Sequence, residues 1–146
     1  LDATRLFTSY TLAAMLLGYI AGLLLIPRFV SQERYLAISA VLGLVFSVAA
    51  YLTSGYTSVG FIAALGFANA MMWPAIFPLA IKGLGRHTEA GSALLIMAIA
   101  GGALLPLAWG WLADRWTSQE AYWILLPCYV IILLYASWWY KIRNWK

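Results

Sequence analysis

Four stretches of this sequence carry no charged side chain, and each is long enough to cross a lipid bilayer. Between Arg5 and Arg28 lie 22 uncharged residues, between Glu89 and Asp114 there are 24, between Glu120 and Lys141 there are 20, and between Arg34 and Lys82 there are 47. A helix rising about 1.5 Å per residue crosses roughly 30 Å of hydrocarbon in about 20 residues, so the longest stretch holds two crossings. "TSGYTS" (Thr53 to Ser58) divides it, because glycine and clustered hydroxyl residues favour a turn. The sequence therefore predicts an all-α integral membrane protein with five transmembrane helices, at about 6–27, 35–53, 58–81, 91–113 and 121–140. The alternating pattern of membrane β-strands, each of about 9–11 residues, is absent. Composition agrees: 64% of residues are hydrophobic and 10% charged, with mean hydropathy +0.86, against about 25% charged in a soluble domain.

The charges at the ends of these stretches sort by side. Arg28, Arg34, Lys82, Arg86, Lys141, Arg143 and Lys146 fall on one face of the membrane, Arg5 and Arg115 on the other. The excess of basic residues marks the cytoplasmic side, which puts the C-terminus inside and the start of the chain outside. Aromatic residues form belts at both faces, with Trp109, Trp111, Trp116, Tyr122 and Trp123 toward the outside and Trp138, Trp139, Tyr140 and Trp145 toward the inside. The net charge of +4 is thereby explained by topology, and binding to nucleic acid is not implied. The chain opens on "LDATRLF", without methionine or a cleavable signal pattern. An outside start predicts at least one further span upstream, so a piece of a larger protein is expected. The single cysteine, Cys128, leaves no partner for a disulfide within the chain and reads as a packing residue.

Short connections ("RFVSQER", "TSGYTS", "KGLGRHTEAG", "ADRWTSQEA") make consecutive helices antiparallel neighbours. Thr117 and Glu120 have capping-box spacing before the last span, and Thr88 is placed to cap the fourth. Gly18 and Gly22 form a GxxxG pair that lets another backbone approach. In "AIAGGALLPLAWG", Ala98, Gly102, Pro106 and Gly110 share one stripe. That stripe reads either as helix packing or, with Gly101, Gly102 and Pro106 together, as a local bend where helices rock. Pro106 removes a donor and frees the Gly102 carbonyl.

No span interior contains Asp, Glu, Lys, Arg or His, the residues that mark proton relays and ion sites within membranes. If the protein couples transport to a cation, H⁺ or Na⁺, the titrating group is expected outside these residues. His87 reads as a solvated loop residue beside Arg86 and Glu89, and "GLGRHT" lacks the strand and the length of a phosphate loop. Nothing pairs a nucleophile with a base, and no metal-ligand cluster or bound cofactor is implied. The residues point away from an enzyme. The third span is different. Asn69 and Trp73 lie near its centre with i, i+4 spacing, which places them on one face with Phe77 a turn further on. Pro74 and Pro78 free the carbonyls of Ala70 and Pro74. One reading is a kinked packing helix in which Asn69 bonds a neighbour. The other is a cavity wall in which Asn69 bonds substrate hydroxyls and Trp73 covers an apolar sugar face.

Two blocks, "MMWPAIFPLAIKGLGRHTEAGSALLIMAIAGGALLPLAWGWLAD" (Met71 to Asp114) and "AYWILLPCYVIILLYA" (Ala121 to Ala136), resemble the C-terminal half of major facilitator superfamily transporters. Within it, they are similar to the fucose:proton symporter group, especially its bacterial glucose/galactose and N-acetylglucosamine branch. The resemblance implies that the five spans are the last five of a twelve-helix fold and that an N-terminal half is missing. It also implies import of a neutral monosaccharide by cation-coupled alternating access in the bacterial inner membrane. It places Trp73, the aromatic before the first proline, in the sugar cavity, and by extension Asn69. It further implies that the acids linked to coupling belong to the absent half. Where many relatives carry Gly-Arg, this chain has Gly18-Tyr19, so that arginine's role does not transfer. The loop "PRFVSQER" keeps only basic character, which assigns Arg28 and Arg34 to the inner gate. An efflux transporter of apolar compounds and a structural or assembly subunit of a membrane complex are the competing readings.

Overall fold

In a computed structural model of the chain, residues 2–26, 28–139 and 141 are described, the side chains from residue 6 onward. Pro27, Tyr140, Arg143, Trp145 and Lys146, and the side chain of Arg5, lie outside what is described. Helix α1 (Asp2–Leu25) is followed by α2 (Gln32–Leu52), α3 (Gly55–Asn69), α4 (Met72–Ile81), a 3-10 turn (Gly85–His87), α5 (Thr88–Ala98) and α6 (Gly101–Arg115). A second 3-10 turn (Glu120–Ile124) leads into α7 (Leu125–Leu134), which ends in a π-helical turn (Tyr135–Trp139). Five segments are long and apolar enough to cross a membrane: Leu6–Leu25, Gln32–Leu52, Gly55–Ile81, Gly85–Arg115 and Glu120–Trp139. The third contains α3 and α4, the fourth α5 and α6. The protein is a multi-pass helical membrane protein.

Turn chemistry fixes the connections. In "TSGYTS", Gly55 takes φ 61°, a left-handed conformation that side-chain-bearing residues disfavour, and α3 starts there rather than at Ser58. Ser58 Oγ donates back to the Ala50 carbonyl at 2.6 Å, and Thr53 Oγ1 to that of Ala49 at 2.6 Å. Gln119 reaches across from the turn before the fifth span and donates through Nε2 to the carbonyls of Tyr51, at 3.0 Å, and Thr53. It thereby satisfies the acceptors that the end of α2 leaves open. The capping box forms in both directions: Glu120 N–H donates to Thr117 Oγ1 at 3.1 Å, and Thr117 N–H to Glu120 Oε2 at 3.1 Å. Thr88 departs from the expected role. It is the first residue of α5, and its hydroxyl donates to the Gly85 carbonyl at 2.7 Å instead of accepting a helical N–H. The preceding 3-10 turn brings that carbonyl within reach.

Helix α2 is the centre of the bundle, packed between α3 and α7, while α1 lies along α3. A cluster of Leu36, Leu65, Met72, Ala75, Leu79 and Tyr129 forms the core. The fourth span is peripheral, and Leu112 is the one buried residue between Gly85 and Arg115.

Candidate functional site

The third span is interrupted at its midpoint. Pro74 has no N–H to offer the Ala70 carbonyl, and α3 stops at Asn69, one residue past the centre of Gly55–Ile81. Met71 turns out of the helix at φ −102°, ψ 6°. The chain re-enters a helix at Met72, which leaves Pro74 in the first turn, where a missing donor is harmless. Ala70 N–H closes α3 on the Gly66 carbonyl at 3.1 Å, and Ala75 N–H opens α4 on that of Met71 at 3.0 Å. Pro78 lies inside α4.

One side of this break is tightly held. Ala70, Met71 and Met72 are buried, and the GxxxG pair of α1 makes the room. A Cβ on Gly18 would stand 2.6 Å from the Phe67 carbonyl oxygen and 2.7 Å from Ala70 Cβ, and one on Gly22 would run into the Met71 side chain. The other side is open. Between Phe61 and Ile81, Asn69 and Trp73 are the two exposed residues, Trp73 at 42%. The Trp73 ring leans on Phe77 with centroids 5.8 Å apart. Asn69 Oδ1 accepts a hydrogen bond from the Tyr129 hydroxyl at 2.8 Å. The break therefore falls between the two residues expected to share a face, and both still open outward.

Tyr129 was not singled out by sequence. Its ring fills the space over Gly43 of α2, where a Cβ would stand 2.6 Å from Cδ1. A signal existed: Tyr129 lies at the middle of Glu120–Trp139, as Asn69 does in its span. A mid-depth hydroxyl needs a partner, and a mid-depth amide on another span is a natural one.

The remaining predicted residues are scattered. In the fourth span the helix is interrupted at Ile99–Ala100, before Gly101, by 3-10 bonding that includes Gly102 N–H to the Ile99 carbonyl at 2.8 Å. Pro106 lies within a continuous α6. A Cβ on Gly101, Gly102 or Gly110 would meet nothing within 4 Å, while Pro106 lines a cavity with Trp109, Tyr122 and Leu125. Arg28 is exposed in the α1–α2 connection. Arg34, in the first turn of α2, lines a cavity of about 290 Å³ with Glu33, Ser137 and Lys141. His87 is exposed and accepts a bond from Arg86 Nε at 3.2 Å. Cys128 is free, with Sγ 3.4 Å from the Ile124 carbonyl. Among the described residues no three His, Cys, Asp or Glu side chains gather to hold a metal.

The chain matches no family model. It is 36% identical over 109 residues to the glucose/galactose transporter of Brucella abortus, covering 75% of this chain and 26% of that protein. Its identity to the putative glucose/galactose transporter of Helicobacter pylori is 34% over 137 residues, covering 90% of this chain and 33% of that one. With the L-fucose-proton symporter of Escherichia coli it shares 31% over 130 residues, covering 86% and 29%. The chain thus spans a quarter to a third of the length of these three relatives. In fold it is similar to the crystal structure of the major facilitator superfamily transporter FucP in the outward conformation, with TM-score 0.85 at 24% identity, over 99% of this chain and 34% of that one.

Proposed function

Since this chain belongs to the major facilitator superfamily, in the fucose:proton symporter group, we propose that it is the C-terminal part of a sugar importer. The substrate is a neutral monosaccharide of the glucose/galactose or N-acetylglucosamine class. Uptake runs by alternating access and is coupled to H⁺ or Na⁺, with the coupling acids on a missing N-terminal half. The membrane is the bacterial inner membrane, with the start of this chain outside and its C-terminus in the cytoplasm. Arg28 and Arg34 then lie at the inner gate.

The observation that carries this reading is the open face of the third-span break. An asparagine amide exposed at mid-depth is costly against hydrocarbon and favourable against water or a polyol. A tryptophan beside it offers the apolar surface that covers a sugar ring. The relatives' names, glucose/galactose transporter and L-fucose-proton symporter, support a sugar; the N-acetylglucosamine class rests on the sequence resemblance alone. Broken helices at the membrane midplane are where secondary transporters hold substrate.

Uptake of radiolabelled glucose, galactose, N-acetylglucosamine and L-fucose by the complete transporter tests the proposal. Removing the Trp73 ring by Trp73→Ala is expected to weaken apparent affinity at least about tenfold, the scale of a buried aromatic anchor. Unchanged uptake and affinity would remove the sugar role. The sequence preceding this chain in its gene should encode seven more spans with an acidic residue inside at least one, and the 146-residue chain alone should not transport.

A further inference from the structure

We infer that Tyr129 is a positioning residue for substrate, fixing the Asn69 amide so that its NH₂ group is what a sugar oxygen meets. This rests on the sugar-site reading above. Tyr129 is 5% exposed, so it does not itself reach a ligand on the open face. Its ring is wedged over Gly43, and its hydroxyl is 2.8 Å from Asn69 Oδ1, at the usual length for O–H···O. An asparagine side chain turns easily about its last torsion and offers either a carbonyl or an amine. A hydroxyl that donates to Oδ1 removes that choice. The carbonyl is occupied by the protein, and the exposed end of Asn69 becomes a donor.

The consequence is chemical selectivity. At the ring position facing Asn69, the sugar must supply an acceptor. A hydroxyl satisfies it, fluorine satisfies it weakly, and hydrogen does not. The break assists, because Asn69 is the last residue of α3 and stands beside backbone already released from the helix.

The complete transporter in proteoliposomes, assayed with monodeoxy and monodeoxyfluoro analogues, tests this with Tyr129→Phe, Asn69→Ala, Asn69→Asp and the double variant Tyr129→Phe/Asn69→Ala. Tyr129→Phe keeps the ring over Gly43. It should raise KM about two- to tenfold, the scale of one hydrogen bond, with Vmax changed less than about twofold, and should add nothing in the Asn69→Ala background. At one ring position, the native transporter should prefer the fluoro to the deoxy analogue. That preference should shrink in Tyr129→Phe and vanish in Asn69→Ala. It should also vanish in Asn69→Asp, which keeps an acceptor for Tyr129 and loses the donor. Additive effects of the two substitutions, or a fall in folded protein from Tyr129→Phe with KM and analogue preference intact, would overturn the inference. If Asn69→Ala raises KM and Tyr129→Phe does not, the inference alone fails. If Asn69→Ala and Trp73→Ala both leave KM unchanged, the sugar site itself fails.

Discussion

The third and fourth spans carry similar punctuation in sequence, with proline and small residues near mid-span, yet the structure treats them oppositely. In the third, Ala70, Met71 and Met72 are buried and two glycines of α1 press against the break. In the fourth, Ile99 is 54% exposed and a Cβ added at Gly101 or Gly102 would meet nothing within 4 Å. A break braced on one side holds its open side in a defined geometry. Proline alone does not brace a break; the helices packed around it do.

Crowding is where the two spans should separate most. Gly18→Leu drives atoms into the Phe67 backbone and the Ala70 methyl. Overpacking typically costs about 1–3 kcal/mol, and with backbone as the obstacle the upper end or beyond is expected, read as loss of monodisperse protein and a lowered thermal midpoint. Gly102→Leu should stay within about 0.5 kcal/mol. An equal loss at Gly102 would break the contrast and show its stripe covered by protein. Trp111 gives the functional counterpart. It is 54% exposed with the Arg115 guanidinium 3.9 Å from its ring centroid, and Trp111→Ala should leave apparent sugar affinity within about twofold, well short of the tenfold loss expected at Trp73.

Smaller effects sharpen the comparison. Pro106 sits inside α6 and Pro74 in the first turn of α4. Pro106→Ala should therefore raise stability by about 1 kcal/mol or more, and Pro74→Ala by only a few tenths, measured as thermal midpoints. The helix starts differ similarly. Thr117→Ala removes a true cap and should cost about 1 kcal/mol, whereas Thr88→Ala should cost a few tenths.

The five spans were readable because charge-free length is a nearly sufficient signal for crossing a bilayer. The break in the third span was readable from Pro74, whose missing donor is a local property. So was the packing role of Gly18 and Gly22, although which residues they face was not. The fourth-span interruption lies at Ile99–Ala100, directly before Gly101 and Gly102, where 3-10 bonding replaces the helical ladder, while Pro106 sits within α6. Thr88 misled because its capping role depends on the 3-10 turn before it. Tyr129 lies 60 residues from Asn69, and its hydroxyl reaches the break only because Gly43 admits the ring. The family resemblance pointed to Trp73, and the structure leaves both Trp73 and Asn69 exposed on either side of the break.

Thiol labelling reads out whether the third-span break opens onto the sugar. In the complete transporter with Cys128→Ser, Asn69→Cys and Gly102→Cys are exposed in turn to a membrane-impermeant cationic thiol reagent, with and without transported sugar. Asn69→Cys should react and sugar should slow the reaction, while Gly102→Cys should show no sugar protection. An unreactive Asn69→Cys, or one that reacts at the same rate with sugar present, would show that the break does not open onto the sugar.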